Sequence, residues 1–132
     1  MIGVDIIRVE RIKGLAAKDK NNKVFTKKER EYADLKVGEV NLYNNDFSPV
    51  YRTLAGMYAA KEAFLKAIGT GIGGELSLSD IEILHDEMGK PFISKNEKIQ
   101  NMLLRKAIIF VDLSISHDGE YAIAVVELLK NR

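Results

Sequence analysis

Apolar and polar residues alternate near both ends of the chain and recur at helical spacing in its middle. Met1 to Ile7 places Ile2, Val4 and Ile6 on one face of a short strand and Gly3 and Asp5 on the other. Phe25-Thr26-Lys27-Lys28-Glu29 has the pattern of a capping box, in which a hydroxyl and a carboxylate each satisfy a free amide at a helix start. A helix from about Lys27 to Leu35 is therefore predicted. Val37 to Phe47, with Gly38, Asn41, Asn44, Asn45 and Asp46, reads as a surface loop. Ser48-Pro49 then opens a longer helix, because serine caps free amides and proline has none to lose at the first helical position. That helix is expected to reach Ile68, with Gly69 ending it in the left-handed region. Leu76 to Leu84 alternates like a strand, Met88-Gly89-Lys90-Pro91 predicts a turn, and Glu97 to Arg105 a short helix. Ile108 to Ser116 and Tyr121 to Leu129 are β-branched runs separated by His117-Asp118-Gly119-Glu120, where Asp-Gly is a strong hairpin signal. A first strand, a helical middle and antiparallel strands at the end predict one α+β domain over residues 1–132.

Composition narrows the function classes. The chain has 20 basic and 19 acidic residues, a net charge of +1 that is too small for the phosphate neutralisation of a dedicated nucleic-acid binder. With no cysteine, disulfides, thiolate zinc sites and a cysteine nucleophile are excluded together. Apolar runs of about five residues fall far short of the roughly 20 that span a membrane, so an intracellular, cytoplasmic protein without a membrane segment is expected. Neutrality nevertheless hides an asymmetry. Between Ile6 and Arg30 lie nine basic residues against three acidic ones, whereas the five charges from Glu75 to Glu87 are all acidic. Either these are solvated faces, or the basic segment steers an acidic macromolecule.

The central helix carries the candidate chemistry. Leu54, Met57, Phe64, Leu65 and Ile68 share an apolar sector, and Glu62 lies elsewhere beside Ala55, Ala59 and Lys66. Alanines flanking a glutamate let another backbone or a bulky ligand approach. The plain alternative is a Glu62–Lys66 surface pair worth about 0.2–0.5 kcal/mol. Lys61 falls inside the apolar sector, where its stem is expected to pack while its ammonium reaches out to water. Gly69-Thr70-Gly71-Ile72-Gly73-Gly74 follows the helix, whereas phosphate-binding glycines precede one, so a helix cap and linker is the simpler reading. His117 ends a strand and shares its parity with Val111, Leu113 and Ile115, which suits a partly buried structural histidine. Ser116-His117-Asp118 is no catalytic triad, since strand neighbours point to opposite faces. Two histidines and no cysteine argue against zinc, while Asp5 and Glu62 are hard oxygen ligands suited to magnesium.

Three blocks together resemble the small bacterial 4′-phosphopantetheinyl transferases, the holo-acyl-carrier-protein synthases. They are Gly3-Val4-Asp5-Ile6-Ile7 with Glu10-Arg11-Ile12, then Leu54-Ala55-Gly56 through Ala59-Ala60-Lys61-Glu62-Ala63 to Lys66-Ala67-Ile68-Gly69-Thr70-Gly71, and finally Leu113-Ser114-Ile115-Ser116-His117 with Tyr121-Ala122-Ile123-Ala124. The resemblance implies transfer of 4′-phosphopantetheine from coenzyme A to a serine of apo-acyl-carrier protein, releasing adenosine 3′,5′-bisphosphate and supporting fatty acid biosynthesis. It implies Mg2+ held by Asp5 and Glu62, and coenzyme A contacts from Lys66, His117, the Gly69-Thr70-Gly71 backbone and Pro91. Arg11 matches a basic position that meets the carrier protein, and the family's homotrimer has sites between subunits. Two positions depart from the pattern: Met57 stands where the family often has arginine, so that nucleotide contact is not carried over, and Leu65 replaces a serine. The competing reading is a non-catalytic module that binds an acidic partner protein.

Overall fold

The computed structural model describes residues 1–38, 48–69 and 74–131. In chain order these form strand β1 (Ile2–Arg8), helices α1 (Val9–Lys18), α2 (Lys27–Asp34) and α3 (Pro49–Ile68), a 3-10 turn (Leu78–Asp80), strands β2 (Ile83–His85) and β3 (Pro91–Ile93), helix α4 (Glu97–Arg105), and strands β4 (Ile108–Asp118) and β5 (Tyr121–Lys130). The α+β expectation holds. One antiparallel sheet has the order β1-β5-β4, and β2 and β3 pair separately as a hairpin.

Local signals set most boundaries. Thr26 and Glu29 make the capping box, with the Glu29 amide donating to Thr26 Oγ1 and the Thr26 amide to Glu29 Oε1 at 2.8 Å. The Ser48 hydroxyl accepts from the Tyr51 amide, Pro49 occupies the first turn of α3, and Gly69 ends it at φ 85°, ψ 10°. Asn96 caps α4 in the same way.

Three expectations need correction, and one helix has no counterpart among the predicted elements. Val9–Lys18 is a helix, although its periodicity is masked by the basic run; Val9 and Ile12 are buried and the charged residues face out. Leu76–Leu84 is not a strand, because Asp80 Oδ2 accepts from the Ser77 amide at 2.8 Å and closes a 3-10 turn, leaving only Ile83–His85 extended. The β4–β5 turn centres on Gly119-Glu120, with Asp118 paired to Tyr121 and Gly119 at φ 56°, one residue later than Asp-Gly implies. Lys61 does not reach water: its side chain is fully buried and paired with Glu29. The predicted loop at Val37 to Phe47 lies largely outside the described residues.

Helix α3 runs through the centre of the molecule, with the sheet on one side and α1, α2 and the 3-10 turn on the other. Its sheet-facing residues are small. Ala59, Ala63 and Ala67 are buried there, and a Cβ on Gly3 would stand 1.9 Å from the Ala63 carbonyl oxygen, so β1 and α3 touch backbone to backbone. This close approach is made at Ala63 and Ala67, not at the Ala55 and Ala59 read beside Glu62 from the sequence. Strand parity is as read, but the apolar face of β1 points outward: Ile2, Val4 and Ile6 are exposed, while Gly3, Asp5 and Ile7 face α3. Among the described residues no helix is long and apolar enough to cross a membrane.

Candidate active site

Asp5 reaches α3 because it shares parity with Gly3 and Ile7, and it pairs across β5 with Ala124, whose small side chain leaves room. There it meets Lys66, whose ammonium lies 3.0 Å from Asp5 Oδ1 and 3.1 Å from the Val4 carbonyl oxygen. Lys66 thus pairs with the strand and not, as a surface helix pair would, with Glu62. Glu62, one turn earlier, faces the same corner. Partial burial raises its carboxyl pKa and the Asp5 charge adds to the rise, while a hydrogen bond from Tyr58 and the charges of Lys66 and Arg11 oppose it. Tyr58, itself buried, has its phenol pKa raised by desolvation first and by Glu62 next. Two carboxylates and a lysine on the flank of one helix, with the exposed Arg11 of α1 close enough to act on them, form the first cluster.

A second cluster lies on the other flank. His117 Nε2 donates to the Arg52 carbonyl oxygen at 2.9 Å, and its ring presses on Gly56, where a Cβ would stand 2.8 Å away. Burial of the ring pushes its pKa below 6.5, while the Arg52 carbonyl partner opposes the shift. His117, Gly56, Thr53, His85, Tyr32 and Pro91 line a cavity of about 200 Å³. His85 stacks flat on Tyr32, with centroids 3.9 Å apart, and burial depresses its pKa too.

Thr53 and Glu62 are nine residues apart, which at 3.6 residues per turn sets them about 180° apart around α3. The helix body separates the two clusters. The structure therefore brings Asp5, Glu62, Lys66 and Arg11 together in one place and His117 and Pro91 in another. Gly69 caps α3 between the helix and residues 70–73, and Thr70 and Gly71 lie outside the described residues.

Gly56, Tyr58, Tyr32 and His85 are site features that sequence reasoning passed over. Two had a signal: Tyr58 stands one turn before Glu62, and a glycine inside a helix costs about 1 kcal/mol against alanine, which points to a close neighbour.

Comparison with known proteins settles the family. The family model described as the 4′-phosphopantetheinyl transferase superfamily matches residues 1–126. The chain belongs to that superfamily. A holo-[acyl-carrier-protein] synthase of Campylobacter fetus is 43% identical over 126 residues, covering 96% of each chain. Among solved structures, the Helicobacter pylori synthase in complex with coenzyme A is 31% identical with a TM-score of 0.76, over 98% of this chain and all of that one. The Bacillus anthracis synthase, in complex with CoA (3′,5′-ADP), is 37% identical with a TM-score of 0.73, over 98% and 96%.

Proposed function

We propose that this chain, acting as one domain, is a magnesium-dependent holo-acyl-carrier-protein synthase of the cytoplasm. It transfers 4′-phosphopantetheine from coenzyme A to a carrier-protein serine. The observation that carries the reading is the convergence of Asp5, Glu62 and Lys66 on one flank of α3 in a chain so similar to known synthases.

In the reaction a serine oxygen forms a bond to the pantetheine-side phosphorus of the diphosphate as the anhydride P–O bond breaks, and adenosine 3′,5′-bisphosphate departs. The serine proton is lost and the leaving phosphate gains charge. The residues present suit Mg2+: two hard carboxylates meet in one corner, and this ion takes one or two protein carboxylates with the rest of its shell from water and substrate phosphate. When bound, the ion would neutralise charge on the diphosphate. Asp5 and Glu62 would hold it. Lys66, already oriented by the Val4 carbonyl, would stabilise the leaving phosphate. Glu62, with its raised pKa, is one group able to take the serine proton. His117, Pro91 and the Gly69-Thr70-Gly71 backbone would hold the nucleotide, and Arg11 would meet the acidic carrier protein.

A homotrimer is part of the proposal. One ligand cannot bridge the two clusters through the body of α3, so a site using both is best built from two protomers. The outward apolar face of β1 and β5 supports this, with Ile2 70%, Ile6 60% and Val125 40% exposed.

The test is a mass spectrum of apo-carrier protein after incubation with the chain, coenzyme A and Mg2+, and again with EDTA. A gain of one phosphopantetheinyl group only with metal is expected. Carrier binding without any gain would instead indicate the non-catalytic module.

A further inference from the structure

Lys61 adjoins Glu62 in sequence but projects about 100° further around α3, into the layer formed by α2 and the 3-10 turn. Its ammonium lies 2.8 Å from Glu29 Oε1 and 2.8 Å from the Leu78 carbonyl oxygen, and both side chains are completely buried. Glu29 Oε1 also accepts from the Thr26 amide, and Glu29 Oε2 from the Ile83 amide at 2.8 Å. A second tie runs beside it, where the Thr26 hydroxyl donates to Glu82 Oε2 at 2.6 Å. One carboxylate therefore joins α2, α3 and the first residue of β2.

Stability is a poor explanation for such a pair. Removing two charges from water costs several kcal/mol each, and apolar residues of similar volume often serve a core as well or better. Apolar contacts, however, do not fix direction. Four charge-assisted hydrogen bonds do, because each holds its partner to a set distance and angle. The elements joined at this point are those that carry the cavity walls: Tyr32 on α2, Thr53 and Gly56 on α3, and His85 and Pro91 on the β2–β3 hairpin. The β4 wall, with His117, is held separately, through the Arg52 carbonyl.

We infer that Glu29 and Lys61 are positioning residues for coenzyme A, setting the walls of the His117 pocket from beneath without touching the ligand. The inference rests on the assignment of that pocket to the nucleotide.

The test uses the full-length assembled protein and 3′,5′-ADP as probe. Glu29→Gln with Lys61→Met removes both charges together, keeps the volume and leaves an acceptor for the Ile83 amide while cutting the tie to α3. Calorimetry should show 3′,5′-ADP binding weakened about tenfold, with a matching rise in KM for coenzyme A and KM for the carrier protein within about twofold. A pair that only stabilises the fold would lower Tm and the active fraction, hence the apparent kcat, and leave nucleotide affinity and KM for coenzyme A unchanged. That pattern would overturn the inference. Should the double variant not fold, Lys61→Arg keeps the buried charge but changes its reach. Its nucleotide affinity is expected to fall about threefold, and an unchanged value overturns the inference equally. His117→Ala is the control for the pocket. If it leaves 3′,5′-ADP binding untouched, the nucleotide assignment is wrong, and the inference falls with it whatever the pair does.

Discussion

Glu62 occupies a partly desolvated corner beside a second carboxylate, an arrangement that favours its protonated form. Its folded-state pKa lies above the unfolded 4.5, so the stability it contributes is present below that value and lost as pH rises through the raised one. At neutral pH the charge is a cost to the fold. Glu62→Gln is accordingly expected to hold or slightly raise Tm at pH 7 while abolishing most transfer activity, both readable from one preparation by calorimetry and the mass assay. Normal activity at saturating Mg2+ would remove Glu62 from the proposed metal site. The two histidines act in the opposite sense. Burial lowers both pKa values from 6.5, so the unfolded chain takes up protons first and stability drops as pH falls below 6.5. That loss precedes the one from Asp19 and Asp80, whose carboxyls are held below 3.8 and whose contribution disappears only at lower pH. His85→Phe, which keeps a ring on Tyr32, should flatten the upper part of a Tm-against-pH curve. An unchanged curve would mean that His85 titrates alike in both states.

The contact between β1 and α3 is the element on which the first cluster depends. Gly3 lies against the Ala63 carbonyl and within 2.6 Å of the Ala67 amide nitrogen for any added Cβ. Both are helix backbone and cannot turn aside as a side-chain tip would. Gly3→Ala must therefore lift β1 from α3, at an expected cost of about 3 kcal/mol in denaturant unfolding. Because Asp5 is two residues further along the same strand, the Asp5–Lys66 pair should part and activity fall with stability. Gly14→Ala is the comparison: a Cβ there meets nothing, and in the interior of α1 alanine should stabilise by about 1 kcal/mol.

At the scale of the whole molecule the decisive feature is a sheet with one face on α3 and the other bare. Ile6 and Val4 stand in the middle of that bare face, opposite Ile123 and Val125. Ile6→Glu should place an unpaired charge inside any subunit contact and convert a trimer into monomers in light scattering, with little change in the secondary structure of each chain. Activity should fall in step, because Asp5 and His117 lie on opposite flanks of α3. For the same reason an Asp5→Asn chain mixed with a His117→Ala chain should recover part of the wild-type rate, each supplying the half-site the other lacks. A fully active monomer would refute the shared site and leave the metal ligands unaffected.

Local chemistry is what the sequence determined by itself. The Thr26–Glu29 box, the Ser48-Pro49 start, the Gly69 stop, the short helix from Glu97 to Arg105 and the late hairpin each depend on residues a few positions apart, and the structure shows them all. Signals also failed locally where two competed, as when the Asp80 carboxylate took the Ser77 amide from a would-be strand, or when the basic run hid the apolar stripe of α1. The tertiary structure decided what depends on distant partners. Alternation along β1 separates its two faces without telling which one meets the core; the alanine face of α3 chose the side bearing Gly3, because only there does the backbone come close enough. A lysine in an apolar sector can reach for water or find an anion, and Glu29, 32 residues away, settled the matter for Lys61. Lys66 likewise had a carboxylate one turn away on its own helix and another 61 residues away on β1, and it took the distant one. Spacing along one element fixes which residues share a flank; which flank is buried, and against whom, is set by the packing of whole elements.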